Sequence, residues 1–228
     1  VADDDERRRA WAAAGELAAS RVESGMRVGI GTGRAASAGI RALGRRVADE
    51  GLDITAVPTS RDSEHLAREL GIPLVRLKGS LDIAFDGADA VDPTGLIVKG
   101  NGGALVRERI VARAARTWLV LVDAPKLVRT LDEWGRLPVA VVPFAAGRVS
   151  QELDDLAPVR RRGRSDDDLV LIDLHVPSDG DWHEWADRAS AEAGVVDHGL
   201  FSSPLENVIV GQPDGEARRA SEAGVMPG

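Results

Sequence analysis

MRVGIGTGRAASAGIRALGRRVADEG, residues 26–51, decides how the rest of the chain is read. Met26 to Ile30 is a short apolar run fit for a buried strand, Gly31 to Gly33 is a glycine turn, and Arg34 to Glu50 has a helical pattern that Gly51 ends. Strand, glycine turn and helix in that order make a β-turn-α unit, whose turn amides can face an anion at the helix N-terminus. Gly31, Gly33 and Ala36 also satisfy a loose GxGxxA dinucleotide pattern. A dinucleotide site calls for an acidic residue at the end of the next strand to hold a ribose hydroxyl. That strand, Ile54 to Val57, runs instead into Pro58, Thr59 and Ser60, so dinucleotide binding is not expected.

Outward from this unit the α/β alternation continues. Upstream, Trp11, Ala14, Leu17, Ala18 and Val22 recur at helical spacing between Asp5 and Glu23, giving a helix with one buried stripe. Downstream, a helix opened by Ser60 or Asp62 is expected over Thr59 to Leu70. Strands follow at Ile72 to Leu77, Ile83 to Phe85 and Leu96 to Val98, then a helix from Ala104 to Arg116 and a strand from Trp118 to Val122. Such alternation implies a parallel sheet in an α/β, Rossmann-like domain. Beyond Arg136 the elements shorten. Leu137 to Val142 is β-like, Val149 to Leu156 helical, Val159 to Arg162 and Leu169 to Val176 strand-like, and Asp181 to Ala193 a charged helix. That order suggests a smaller inserted α+β (ferredoxin-like) domain with an antiparallel sheet. Gly194 to Phe201 and Asn207 to Val210 supply final strands, the last able to rejoin the first domain, and the polar tail from Gln212 reads as loose. The expected division is residues 1–134 with 206–228 for the Rossmann-like domain and 135–205 for the smaller one.

Composition narrows the function. At 228 residues the chain can bury a substantial core. It has no cysteine, which excludes disulfides, thiolate nucleophiles and cysteine metal sites and fits a cytoplasmic setting. No apolar run is long enough for a membrane span, and VADDDERRRAW lacks the layout of a secretory signal. The net charge of −8 disfavours nucleic acid as a partner, whereas an anionic small molecule remains open if its site is locally positive. The basic cluster RRRGR, Arg160 to Arg164, is followed at once by Asp166, Asp167 and Asp168 and reads as a solvated turn. His65, His175, His183 and His198 have no ligand-like spacing, so no metal is expected. In GVVDHGLF, His198 reads as ordering a turn.

Chemistry concentrates in DGADAVDPTGLIVKGNGGALVRE, residues 86–108. Asp86 and Asp89 follow one apolar run, Lys99 closes another, and a glycine bend leads into the helix carrying Glu108. Lysine is scarce, occurring only at Lys78, Lys99 and Lys126, while every other Lys/Arg position is arginine. Such positions are candidates for places where a compact ammonium serves and a guanidinium fork does not. Asp86, Lys99, Lys126 and the Gly31 turn all fall at the carboxyl ends of strands, where ligands gather in open α/β sheets. On residue type alone, Glu108 can equally be a solvated partner of a helix dipole, and Asp86 with Asp89 an Asx-type turn.

In order along nearly the whole chain, VGIGTG (28–33), PTS (58–60), DGAD (86–89), KGNGGALVRERI (99–110), DAPK (123–126), LPVAVVPFA (137–145) and GVVDHGLF (194–201) resemble the type A ribose-5-phosphate isomerase family. The resemblance implies an aldose–ketose isomerase that interconverts ribose 5-phosphate and ribulose 5-phosphate without metal or organic cofactor, and a homodimer or homotetramer. It implies Glu108 as the base between C1 and C2, Asp86 in ring opening and hydroxyl proton transfer with Asp89 beside it, and Lys99 as stabiliser of the enediolate. Substrate binding would fall to Gly31, Thr32, Gly33, Arg34, Ala35, Gly100, Asn101, Gly102, Gly103 and Lys126. A proton alpha to a carbonyl is weakly acidic, so such a reaction needs both a placed base and a stabilised oxyanion.

The departures from the family pattern cluster at the phosphate end. GTGST is here GTGRA, with Arg34 and Ala35, and Trp11 stands where many members carry a lysine. DGADE has become DGADA, KGGG has become KGNG, and the TDNGN turn reads SDDDL. Either Arg34 itself clamps the phosphate, since guanidinium pairs bidentately with phosphate oxygens, or the substrate is another sugar phosphate or a sugar acid handled by the same enediol chemistry. A non-catalytic sugar-phosphate sensor is a third reading, against which stands the absence of a basic helix-turn-helix segment.

Overall fold

The computed structural model describes residues 4–222 and 224–226. Helix α1 (Asp4–Ala19) buries the stripe Ala10, Ala14 and Ala18, while Trp11 is only partly covered at the stripe's edge. Strand β1 (Arg27–Ile30) leads through the glycine turn into α2 (Arg34–Glu50), which ends on left-handed Gly51. Strand β2 (Thr55–Pro58) leads into α3 (Arg61–Glu69). Ser60 caps α3 reciprocally: its Oγ accepts from Ser63 N–H at 3.1 Å, and Ser63 Oγ accepts from Ser60 N–H at 3.0 Å.

Ile72 to Leu77 does not form the expected strand. Only Ala56 and Leu74 pair as an isolated bridge, flanked by Ala56 N–H to Pro73 O and Val75 N–H to Ala56 O. Pro73 has no N–H to give a ladder, and the segment lies at the open edge of β2, where Val75 and Arg76 are exposed. Strand β3 (Leu81–Gly87) is followed by β4 (Ala90–Val91), β5 (Leu96–Val98), α4 (Leu105–Ala114) and β6 (Ala115–Asp123).

The chain then builds β7 (Arg136–Val141), α5 (Ala146–Asp154), β8 (Val159–Arg164), β9 (Val170–His175), α6 (Trp182–Ala191) and β10 (Val195–His198). These strands form an antiparallel sheet in the order β10-β7-β9-β8, the interleaved βαβ arrangement of a ferredoxin-like unit. Its core packs Leu137, Val139, Ile172 and Leu174 against Val149 and Leu153 of α5 and Trp182 and Trp185 of α6. Arg160 to Arg164 therefore lie in a strand, and the solvated-turn reading of RRRGR is wrong. The register shifts between Arg161 and Gly163, and Arg162 at that irregularity is half-buried while Arg160 and Arg161 stay exposed.

Gly194 to Phe201 splits at Gly199 into β10 and β11 (Leu200–Ser202), and β11 joins a different sheet, β11-β5-β4, all antiparallel. So Leu96 to Val98 belongs to this small sheet and not to the parallel one. Strand β12 (Val208–Gly211) returns beside β6, and β13 (Ala217–Arg219) folds back on it, so residues 212–219 close a hairpin where a loose tail was expected, residues 223, 227 and 228 of that tail lying outside the described residues. The main sheet runs β13-β12-β6-β3-β1-β2, parallel throughout except for β13. Ile30, Ile83, Phe85, Leu119 and Leu121 form its buried face under α1 and α2. Its registers put Gly31, Thr59, Asp86 and Asp123 along one carboxyl edge.

Ser60→Ala is expected to lower the unfolding free energy by about 1–2 kcal/mol, because the Ser63 N–H loses its acceptor inside the protein. Urea titration of parent and variant measures this; a loss below about 0.3 kcal/mol would show that the cap carries no weight.

Candidate active site

The carboxyl edge of the main sheet meets the small β11-β5-β4 sheet at a cavity of about 210 Å³. Asp86 ends β3 and is 2% exposed. Its Oδ1 accepts from Thr32 N–H at 2.9 Å and Gly87 N–H at 2.7 Å and lies 3.2 Å from Lys99 Nζ. Gly31 is what permits this approach: a Cβ there would sit 2.4 Å from the Asp86 carboxyl carbon. Lys99, at the end of β5, is held through its backbone N–H on Gly199 O at 2.8 Å. Its Nζ donates to Gly87 O and reaches 3.4 Å from Glu108 Oε2. Glu108 lies in the first turn of α4 and is 4% exposed, and its Oε2 has no hydrogen-bond donor aligned on it.

Two carboxyls and one ammonium are thus buried together. If both acids ionised, one negative charge would be left over where little water reaches, which favours a proton on one of the carboxyls. Asp86 has two backbone donors besides the lysine, whereas among the described residues Glu108 has the lysine at 3.4 Å and no backbone donor. Burial, then the neighbouring Asp86 charge, pushes Glu108 from 4.5 up to about 8, against the pull of Lys99. A helix N-terminus favours a carboxylate by about 0.3–1 kcal/mol, under one pKa unit, so it does not reverse the effect of burial. Asp86 is also raised by burial, with Lys99 and the Thr32 and Gly87 amides opposing. For Lys99 burial works against the charge, but Asp86, Glu108 and Asp89 together outweigh it and hold its pKa above the ordinary value.

Around this trio the cavity is lined by Thr32, Gly33, Arg34, Ala35, Asp89, Gly100, Asn101, Gly102 and Lys126. Asp89 Oδ2 accepts from Asn101 N–H at 2.9 Å, and its Oδ1 lies 3.9 Å from Lys126 Nζ. Lys126 rests over the Trp134 ring at 5.4 Å. Gly31, Gly103 and Asp86 do not line the cavity: Gly31 makes room for Asp86, and Asp86 stands behind Lys99. Lys78 is exposed in the loop before β3, outside the site. His198 accepts Leu200 N–H on Nδ1 at 3.2 Å, ordering the turn between β10 and β11, and burial lowers its pKa. Among the described residues no group of three or more His, Asp or Glu side chains is placed to hold a metal ion. None of their helices is long and apolar enough to cross a membrane.

Sequence reasoning missed three contributors. Arg7 of α1 lines the cavity, donates from Nε to Asp123 Oδ2 at 3.0 Å, and lies 5.2 Å from the Trp11 ring centroid; Arg34 lies 4.9 Å from the same ring. The four-residue spacing of Arg7 and Trp11 on one helix face was the available signal. Asp123, within the DAPK motif, is 2% exposed and anchors Arg7. Thr59 of the PTS motif is fully buried and shares a hydroxyl hydrogen bond with Thr32 at 2.8 Å.

A family model described as ribose 5-phosphate isomerase A (phosphoriboisomerase A) matches residues 55–215. The ribose-5-phosphate isomerase A of Natronomonas pharaonis is 43% identical over 212 residues, spanning 89% of this chain and 92% of its own. That of Roseobacter denitrificans is 39% identical over 215 residues, spanning 87% and 82%. Among solved structures, ribose 5-phosphate isomerase A from Methanocaldococcus jannaschii superposes with a TM-score of 0.84 at 34% identity, over 92% of this chain and 97% of its own. A D-ribose-5-phosphate isomerase in complex with phospho-erythronic acid gives a TM-score of 0.85 at 30% identity, over 96% and 100%.

The raised Glu108 has a consequence for stability. Between 4.5, the ordinary value, and about 8 the folded chain holds a proton that the unfolded chain has lost. Stability from this group is therefore full below the lower value and falls as pH rises toward the upper one. Melting temperature should drop more from about pH 5 to about pH 8.5 for the parent than for Glu108→Gln, which cannot titrate. Parallel melting curves for the two proteins would remove the assignment.

Proposed function

The chain belongs to the ribose 5-phosphate isomerase A family, and we propose that it interconverts ribose 5-phosphate and ribulose 5-phosphate through an enediolate, with Glu108 as the base. The observation that carries this reading is the buried Glu108 at the cavity, poised at about 8, with no donor aligned on its Oε2 among the described residues, beside the Lys99 ammonium. A base whose pKa lies near working pH can take a proton from C2 and return it to C1. As the C2 proton leaves, charge builds on the C1 oxygen. Lys99 and the amides of the Gly100 to Gly103 turn are the groups on hand to stabilise it, in a pocket where water is scarce. The hydroxyl protons that must move in ring opening and tautomerisation fall to the acid pair, Asp89 from the cavity wall and Asp86 through the ammonium it holds. Incubated with ribose 5-phosphate in deuterated water, the parent should form ribulose 5-phosphate with label at the exchanged carbon. Glu108→Gln should lose about 10²- to 10⁴-fold in kcat. No turnover by the parent would sink the isomerase reading, and equal turnover by the variant would sink the base.

The far end of the substrate is assigned to Arg34. Its guanidinium lines the cavity against Trp11 and makes no ion pair among the described residues, so its charge is available to a phosphate. The reading with a different sugar phosphate or sugar acid rests on the same unusual surroundings, Trp11 and Ala35. Arg34→Ser should raise KM for ribose 5-phosphate by about tenfold or more, a charge-assisted pair being worth about 1.5–3 kcal/mol. Turnover of phosphate-free ribose should hardly change. Equal effects on both sugars would rule out Arg34 as the phosphate clamp.

A further inference from the structure

The β8–β9 hairpin holds a charged pair that the reaction described above does not use. Arg162 Nε lies 2.9 Å from Asp173 Oδ1, with the aspartate side chain 2% exposed and the arginine 17%. The Asp173 oxygens have no hydrogen-bond partner, so Arg162 is the counter-charge that makes burial of this carboxylate tolerable. The rest of the guanidinium reaches out of the hairpin to the active site. Nη1 donates to Asn101 O at 2.7 Å and Nη2 to Gly100 O at 2.9 Å. These are the two peptide units through which the chain leaves Lys99 and enters the cavity-lining turn, and Gly100 adopts a φ of 106° that a side chain would disfavour.

A trans peptide points its N–H opposite to its C=O. Drawing both carbonyls onto Arg162 therefore turns the Asn101 and Gly102 amides the other way. The Asn101 N–H is found on Asp89, and Gly102 lines the cavity. A guanidinium behind the carbonyl ends also reinforces these peptide dipoles, whose positive ends face away from it. We infer that Arg162, anchored by Asp173, is a positioning residue for the isomerisation: it fixes and polarises the Gly100–Asn101–Gly102 turn that serves the enediolate and orients Asp89. This rests on the isomerase reading above.

The same hairpin is tied to the larger domain elsewhere, by the Arg61 side chain donating from Nη2 to Asp166 O at 3.1 Å and by Arg107 Nε donating to Asp167 Oδ2 at 2.7 Å. If Arg162 were only another such tie, losing it would lower stability without a specific effect on turnover. Steady-state kinetics of the full chain with ribose 5-phosphate, and inhibition by phospho-erythronic acid, whose carboxylate resembles the enediolate, separate the two. Arg162→Ala should lose about ten- to hundredfold in kcat, with KM within about threefold, and inhibition should weaken in step. Arg162→Lys, which keeps a charged donor for one carbonyl, should recover part of the loss. Arg61→Ala, which cuts a tie remote from the turn, should keep kcat within about twofold.

Three results would overturn the inference: Arg162→Ala within about twofold of the parent, Arg162→Lys no better than the alanine variant, or Arg61→Ala matching its loss. If circular dichroism shows Arg162→Ala unfolded, Arg162→Gln is judged by the same criteria. Absence of turnover by the parent overturns the isomerase reading and this inference with it, whereas an active parent with an unaffected variant overturns this inference alone.

Discussion

Lys99 is the constraint around which the rest is arranged. Its ammonium is 2% exposed and lies within 3.4 Å of two carboxyls that are themselves buried. An ammonium in such a place survives only if the lost hydration is replaced, and here Gly87 O, Asp86 and Glu108 replace it. Supplying two acids for one base leaves the cluster with a proton to place. Because Asp86 also receives the Thr32 and Gly87 amides, the proton goes to Glu108. The poise of Glu108 is thus a property of the charge count and of three neighbouring chain segments, not of the helix that carries it.

That dependence explains the architecture of the edge. Asp86 arrives from the main sheet, Lys99 from the small antiparallel sheet and Glu108 from the helix that joins the two. Any slip of β5 against β11 would carry Lys99 away, and the Lys99 N–H to Gly199 O bond and the Leu200–Val98 pair fix that register. The small sheet is a clamp on one lysine as much as a structural layer.

Much of this was legible beforehand because it is local. Residues 26–51 announce strand, turn and helix by their own periodicity, and the acids, the lysine and the glutamate lie close together in sequence. What escaped depends on partners far along the chain. Leu96 to Val98 is three apolar residues, which look alike in a parallel or an antiparallel sheet, and only β11, about a hundred residues on, decides. Ile72 to Leu77 had the right residues for a strand but no neighbour to pair with beyond β2. Arg162 looked like one of several solvated arginines because inward and outward positions in a strand are told apart only by what covers them.

The far end of the cavity follows from the same count of charges. Arg7, Arg34, Lys99 and Lys126 line the cavity, with Asp123, Asp86 and Asp89 as acidic partners and Glu108 holding its proton. Four cations facing three anions leave a single positive charge at the centre of a chain whose net charge is −8. Three of the cations are already matched: Arg7 by Asp123, Lys99 by Asp86 and Lys126 by Asp89. The surplus therefore falls to Arg34, which among the described residues makes no ion pair and lies over the Trp11 ring. An indole carries no charge but supplies a flat support that holds a guanidinium in one plane. A planar, fixed guanidinium can offer two parallel donors to one anion, where a lysine offers a point charge. Trp11 and Arg34 thus work as one unit: the charge sits on the glycine turn and the ring of the first helix lies against it.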